Sequence, residues 1–120
     1  MIHGIGIDII ELKRIERLLD KNDKFADRMF TGREKEAFGR LTGQRRIEYA
    51  AGRFAAKEAF VKAAGTGISK AYGFQNIEVL NEPNGRPVLY AFVDGLPNAK
   101  VHVSISHSRE WAAAQVIIEE

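Results

Sequence analysis

The segment Arg53-Phe54-Ala55-Ala56-Lys57-Glu58-Ala59-Phe60-Val61-Lys62 sets one carboxylate among three cations. Lys57 follows Arg53, and Lys62 follows Glu58, by one helical turn each, so a helix here presents two adjoining charged rows. Such a carboxylate suits a metal–phosphate site, in which the acid holds Mg2+ and the cations neutralise phosphate oxygens. The same residues also describe an ordinary solvated face with a Glu58–Lys62 ion pair worth about 0.3–0.5 kcal/mol. Spacing alone favours the solvated face, because such pairs are common. Asp8 shifts the balance. It is an acid between Ile7 and Ile9 in an apolar strand, where a carboxylate is costly unless cations or hydrogen bonds compensate it. Either Asp8 marks the strand's exposed end and caps the next helix, or it ligates a metal together with Glu58. Two carboxylates suffice for Mg2+, which completes its octahedron with water and substrate phosphate.

The other polar features are weaker. His107, in Ser106-His107-Ser108, opens a turn and has no Cys or second His with an acidic partner to build a triad or zinc site. His3 and His102 stand alone and read as structural. Gly65-Thr66-Gly67 follows its helix instead of preceding one, so it is not a P-loop. Arg14, Arg17, Lys21, Lys24 and Arg28 recur at helical spacing opposite the apolar positions, with Phe25 beside them. The interspersed Glu16, Asp20, Asp23 and Asp27 fit a solvated face; the alternative is a dock for an acidic partner helix.

The elements that must position these residues follow from periodicity. Ile2 to Ile10 reads as a buried strand in which Gly4 and Gly6 admit a close neighbour. Leu12, Ile15, Leu18 and Leu19 mark a helix, and Asp23 can cap a second, short one carrying Phe25, Ala26, Met29 and Phe30. Thr31-Gly32-Arg33-Glu34 fits a capping box for a third, running to about Leu41. Arg45 to Ala64 is the long helix, with an apolar stripe of Tyr49, Ala56, Phe60 and Ala63, a close crossing at Gly52, and a left-handed end at Gly65. Phe74–Leu80 and Val88–Val93 form a hairpin about Asn84-Gly85. Val101–Ser106 alternates as a half-buried strand, and Trp111–Ile118, apolar on both faces, is a central strand. Helices first and paired strands later predict an α+β fold, with one long helix packed on a mainly antiparallel sheet.

The chain has 120 residues, 45% of them hydrophobic and 28% charged, which predicts a single domain spanning 1–120. No apolar run approaches the ~20 residues of a membrane helix, and the first residues do not read as a signal peptide, so a cytoplasmic protein is expected. Without cysteine, disulfides and thiol nucleophiles are excluded. Net charge is +2, but residues 41–73 carry six basic and two acidic groups, a local surplus that favours an anionic ligand. That surplus also motivates an alternative, a small basic nucleic-acid-binding domain. Against it, the cations flank Glu58, which repels a phosphate backbone, and the strand segments are net acidic.

Together, Gly4-Ile5-Gly6-Ile7-Asp8-Ile9, Gly52 to Ala63 with Gly65-Thr66-Gly67, and Val103-Ser104-Ile105-Ser106-His107-Ser108 resemble the bacterial holo-[acyl-carrier-protein] synthases. These are the small members of the phosphopantetheinyl transferase superfamily, and the resemblance spans essentially the whole chain. It implies transfer of phosphopantetheine from coenzyme A to a serine of apo acyl carrier protein. Asp8 and Glu58 match the family's Mg2+ ligands, and Lys62 a contact to the diphosphate that stabilises or protonates the leaving phosphate. Arg53, Lys57 and His107 match positions on the adenosine phosphates, with Ser108 beside them and Gly85 and Pro87 near the adenine. Arg14, Lys21, Lys24 and Arg28, with Phe25 as apolar contact, match the carrier-docking surface. The resemblance further implies a homotrimer with sites between subunits, and neither a nucleic-acid nor a membrane partner.

Overall fold

The computed structural model of the chain describes residues 1–22, 24–65 and 72–120. Strand β1 (Ile2–Glu11) runs straight into helix α1 (Leu12–Lys21), followed by α2 (Phe25–Met29), α3 (Gly32–Gly39) and the long α4 (Gly43–Ala63). A 3-10 turn (Phe74–Asn76), the hairpin strands β2 (Ile77–Asn81) and β3 (Pro87–Ala91), then β4 (Lys100–His107) and β5 (Trp111–Glu119) complete the order. Asp23, expected as a cap, and Thr66 and Gly67 lie outside the described residues.

Local chemistry explains most of these boundaries. Thr31 and Glu34 form the capping box of α3, with Glu34 Oε1 accepting from Thr31 N at 2.8 Å. Gly65, at φ +84°, turns the chain out of α4, and Gly85, at φ +91°, closes the hairpin. The first hairpin strand begins at Ile77, later than expected. Asn76 Oδ1 accepts from Gly73 N at 3.1 Å and Gly73 O accepts from Asn76 N, which curls Phe74–Asn76 into a turn.

β5 lies between β1 and β4, and both pairings are antiparallel. Helix α4 covers one face of this sheet, and the α+β architecture is the one expected. The two glycines of β1 set how close the layers come. A Cβ built on Gly4 would lie 1.9 Å from the carbonyl oxygen of Ala63, and one on Gly6 1.9 Å from that of Ala59. The backbone of α4 therefore rests directly on that of β1. Gly52 serves a milder approach, its Cβ position being 3.1 Å from Ile105 Cγ2 on β4.

The opposite face of the sheet is bare. Ile5, Ile7 and Ile9 are 58%, 63% and 62% exposed, and Trp111 across from Glu11 joins them. β1, read from its apolar run as a buried strand, is buried on one face only. Val103 and Val116 face α4 and are not part of the open surface. Helix α4, in contrast, is enclosed more widely than one apolar stripe. The sheet takes one side of it, and α1, α3 and β2 take others, so Arg53 and Lys57 are buried along with the alanines.

Candidate active site

Where α4 rests on β1, the next helix-facing residue after Gly4 and Gly6 is Asp8. Asp8 is paired with Ala114 well inside the sheet, and α1 begins four positions later with no side-chain cap, so Asp8 is not a helix cap. Its Oδ1 accepts from Lys62 Nζ at 3.1 Å, and the same ammonium reaches Ile7 O at 2.9 Å. Lys62 thus pairs with Asp8 across the layers, not with Glu58 along the helix.

Glu58 completes the group. Burial raises its pKa above the ordinary carboxylate value, the Asp8 charge raises it further, and Lys62 and Arg14 oppose both. Two carboxylates from distant segments therefore feel each other, with Lys62 paired to Asp8 and both Lys62 and Arg14 acting on Glu58. A divalent cation relieves that repulsion, and two oxygen donors with room for water and phosphate is the donor set Mg2+ accepts. The residues fit such an ion.

A second group of polar side chains lies at the other end of α4. A cavity of about 260 Å3 is lined by Arg45, Glu48, Tyr49, Arg53, Asn81 and His107 among others. The Arg53 guanidinium lies 3.9 Å above the Tyr49 ring, donates to Asn81 Oδ1 at 2.8 Å and to Val79 O at 3.3 Å, and is 6% exposed. His107 Nδ1 is 3.6 Å from Glu48 Oε2. Pro87 pairs with the lining residue Asn81, but neither Pro87 nor Gly85 in the turn beyond lines the cavity. Ser108 is exposed, and its Oγ accepts from Trp111 N at 3.3 Å, closing the β4–β5 turn. Neither Asp8, Glu58 nor Lys62 lines this cavity. The two polar groups of the chain are thus separate.

Lys57 belongs to neither. Its ammonium is fully enclosed, donating to Glu34 Oε1 at 2.7 Å, Met29 O at 2.6 Å and Phe74 O at 3.0 Å. The expected contact between Lys57 and a coenzyme phosphate is therefore corrected: no ligand atom reaches a nitrogen saturated by three buried oxygens. Glu34 in turn accepts from Val79 N through Oε2 at 2.7 Å. Arg53 and Lys57 are turned inward, whereas Arg45 and Lys62 stay exposed and Arg46 half-buried, so only part of the middle segment's basic surplus is internal. Two of the six cations behind a nucleic-acid-binding reading are thus withdrawn from any partner. Sequence reasoning missed Arg45, Asn81 and Glu34; for Glu34 the capping box was visible, but not that its carboxylate lies opposite Lys57.

Arg14, Lys21, Lys24 and Arg28 are exposed on α1, α2 and the link between them. Phe25 is half-buried, its ring 6.4 Å from that of Phe54. Arg14 joins this cationic surface to the carboxylate pair.

The 4'-phosphopantetheinyl transferase superfamily model matches residues 4–116. The chain belongs to this superfamily. The holo-[acyl-carrier-protein] synthase of Geobacillus sp. (strain WCH70) is 55% identical over 119 residues, covering 99% of this chain and 98% of that one. The crystal structure of the holo-(acyl-carrier-protein) synthase from Bacillus anthracis in complex with CoA (3',5'-ADP) superposes with a TM-score of 0.91 at 52% identity. That match covers 100% of this chain and 98% of the other. The Helicobacter pylori holo-[acyl-carrier-protein] synthase in complex with coenzyme A gives a TM-score of 0.82 at 30% identity, over 96% and 99% of the two chains. Among the described residues, no helix of this transferase is long and apolar enough to cross a membrane.

Proposed function

We propose that this transferase is a holo-[acyl-carrier-protein] synthase. It moves the 4'-phosphopantetheine arm of coenzyme A onto a serine of an apo acyl carrier protein and releases adenosine 3',5'-bisphosphate. The observation that carries the proposal is the meeting of Asp8, Glu58 and Lys62 across the β1–α4 contact, in a chain of this superfamily.

The serine hydroxyl loses its proton to solvent as its oxygen bonds to the phosphorus bearing the pantetheine arm, and the bridging P–O bond of the diphosphate breaks with its electron pair left on the departing adenosine bisphosphate. This displacement needs alignment and charge neutralisation more than covalent help from protein. Asp8 and Glu58 would hold Mg2+, which when bound supplies positive charge against the diphosphate oxygens. Lys62, once released from Asp8, stabilises the departing phosphate, and Arg53 with His107 anchors the adenosine phosphates beside the Gly85–Pro87 turn and Ser108. The exposed cations of α1 and α2, with Phe25, receive the acidic carrier.

The two half-sites, far apart on one chain, and the bare isoleucine face support a homotrimer in which each site takes Asp8, Glu58 and Lys62 from one subunit and His107 from its neighbour. A cytoplasmic location is part of the same proposal. The test is direct: incubate the protein with apo carrier, coenzyme A and Mg2+, then weigh the carrier by mass spectrometry. A phosphopantetheine mass gain is expected, and Asp8→Ala and Glu58→Ala should each abolish it with the fold intact. No gain with wild-type protein overturns the activity; a gain with either variant overturns the ligand pair.

A further inference from the structure

Helix α2 carries Phe25 and Arg28 in five residues, fewer than a helix needs to persist unaided. The last carbonyls of any helix also lack partners within it. In α2 they are taken by two side chains from elsewhere. Gln75, on the 3-10 turn, aims its amide Nε2 at Asp27 O (2.9 Å), Arg28 O (3.2 Å) and Phe30 O (2.5 Å). Two N–H groups thus serve three acceptors, and the nitrogen end of the amide must face them because carbonyls cannot donate. The remaining one, Met29 O, accepts from Lys57 Nζ, which also holds Phe74 O next to Gln75. At the other end of α2, the Phe25 ring leans on Phe54, whose ring in turn lies 5.7 Å from that of Phe74. The orientation of α2 is therefore set by α4 and the 3-10 turn.

We propose that Gln75 is a positioning residue for carrier binding: by clasping the carboxyl end of α2, with Lys57 behind it, Gln75 holds Arg28 and Phe25 in the pose that an acidic carrier helix recognises. This rests on the docking role proposed above for α1 and α2. It assigns the transferase a specificity determinant that touches neither substrate. Gln75 is itself exposed, so replacing it opens no cavity in the core.

The experiment compares wild-type protein with Gln75→Leu and the isosteric Gln75→Glu, which removes both donors, varying apo carrier and coenzyme A separately. Lys24→Glu and Arg28→Glu serve as docking controls, and carrier affinity is also measured by calorimetry without coenzyme. Both Gln75 variants should raise the apparent KM for carrier by about 5-fold or more, with kcat and the coenzyme A KM within about 2-fold. Should the Lys24 and Arg28 reversals raise the carrier KM while the Gln75 variants do not, the clasp is overturned and the docking surface stands. Should the reversals leave it unmoved, the docking surface itself is overturned. An equal rise in both KM values, or a lowered melting temperature with unchanged KM values, makes Gln75 merely structural and overturns the proposal.

Discussion

Glu58 takes up a proton more readily in the folded chain than in the unfolded one, because burial and the Asp8 charge both disfavour its ionised form. Its ionisation therefore costs stability at pH values above the raised pKa. The cost fades as pH falls through that value and is gone below the ordinary value of 4.5. Metal-free Glu58→Gln should accordingly melt above wild type at about pH 7.5, with the gap closing by about pH 4, as followed by circular dichroism. Millimolar Mg2+ should raise the melting temperature of wild type and leave that of the variant nearly unmoved. Lys57 makes the converse case. Lys57→Met strands the Glu34 carboxylate in the interior and should cost about 3–5 kcal/mol in urea unfolding, much of it recovered when Glu34 is replaced by leucine as well. These roles were only half legible in the sequence. The spacing of Arg53, Lys57, Glu58 and Lys62 showed the charged rows, and the oddity of Asp8 showed a compensated acid. Which cations face solvent is decided by Glu34, Val79 and Asn81, whose approach to α4 no local pattern encodes.

At the level of elements, the β1–α4 contact brings Asp8 to Lys62, the meeting on which the proposed chemistry depends. Gly6→Ala should be among the most damaging small changes available. The added carbon collides with the backbone of α4, which cannot swing aside as a flexible side chain can. A loss of about 3 kcal/mol or more is expected in denaturant unfolding, together with loss of turnover in whatever protein still folds. The glycines announced this close approach plainly, as Asn84-Gly85 announced the hairpin and Thr31-x-x-Glu34 the start of α3. β1 misled for an identifiable reason. Its outward row of Ile5, Ile7 and Ile9 is as apolar as a core row, so the whole strand read as buried although one face is open. Clasping of α2 by Gln75 was invisible, because a glutamine far along the chain carries no mark of which carbonyls it meets.

For the whole molecule, the bare isoleucine face is a surface that a monomer keeps uncovered at a price in hydration. If it joins three subunits, Ile7→Lys should lower the molar mass measured by light scattering to that of one chain, with helix content preserved and transfer activity lost. Retained trimer mass in that variant would place the interface elsewhere. In the proposed trimer, the polar groups at the two ends of α4 meet only across a subunit junction. Asp8→Ala and His107→Ala proteins, each inactive alone, should rescue one another when unfolded together and refolded. Every mixed ring regains one junction with both halves sound, so random assortment restores roughly a quarter of wild-type turnover. Were each chain to work by itself, the mixture would stay as silent as its parents.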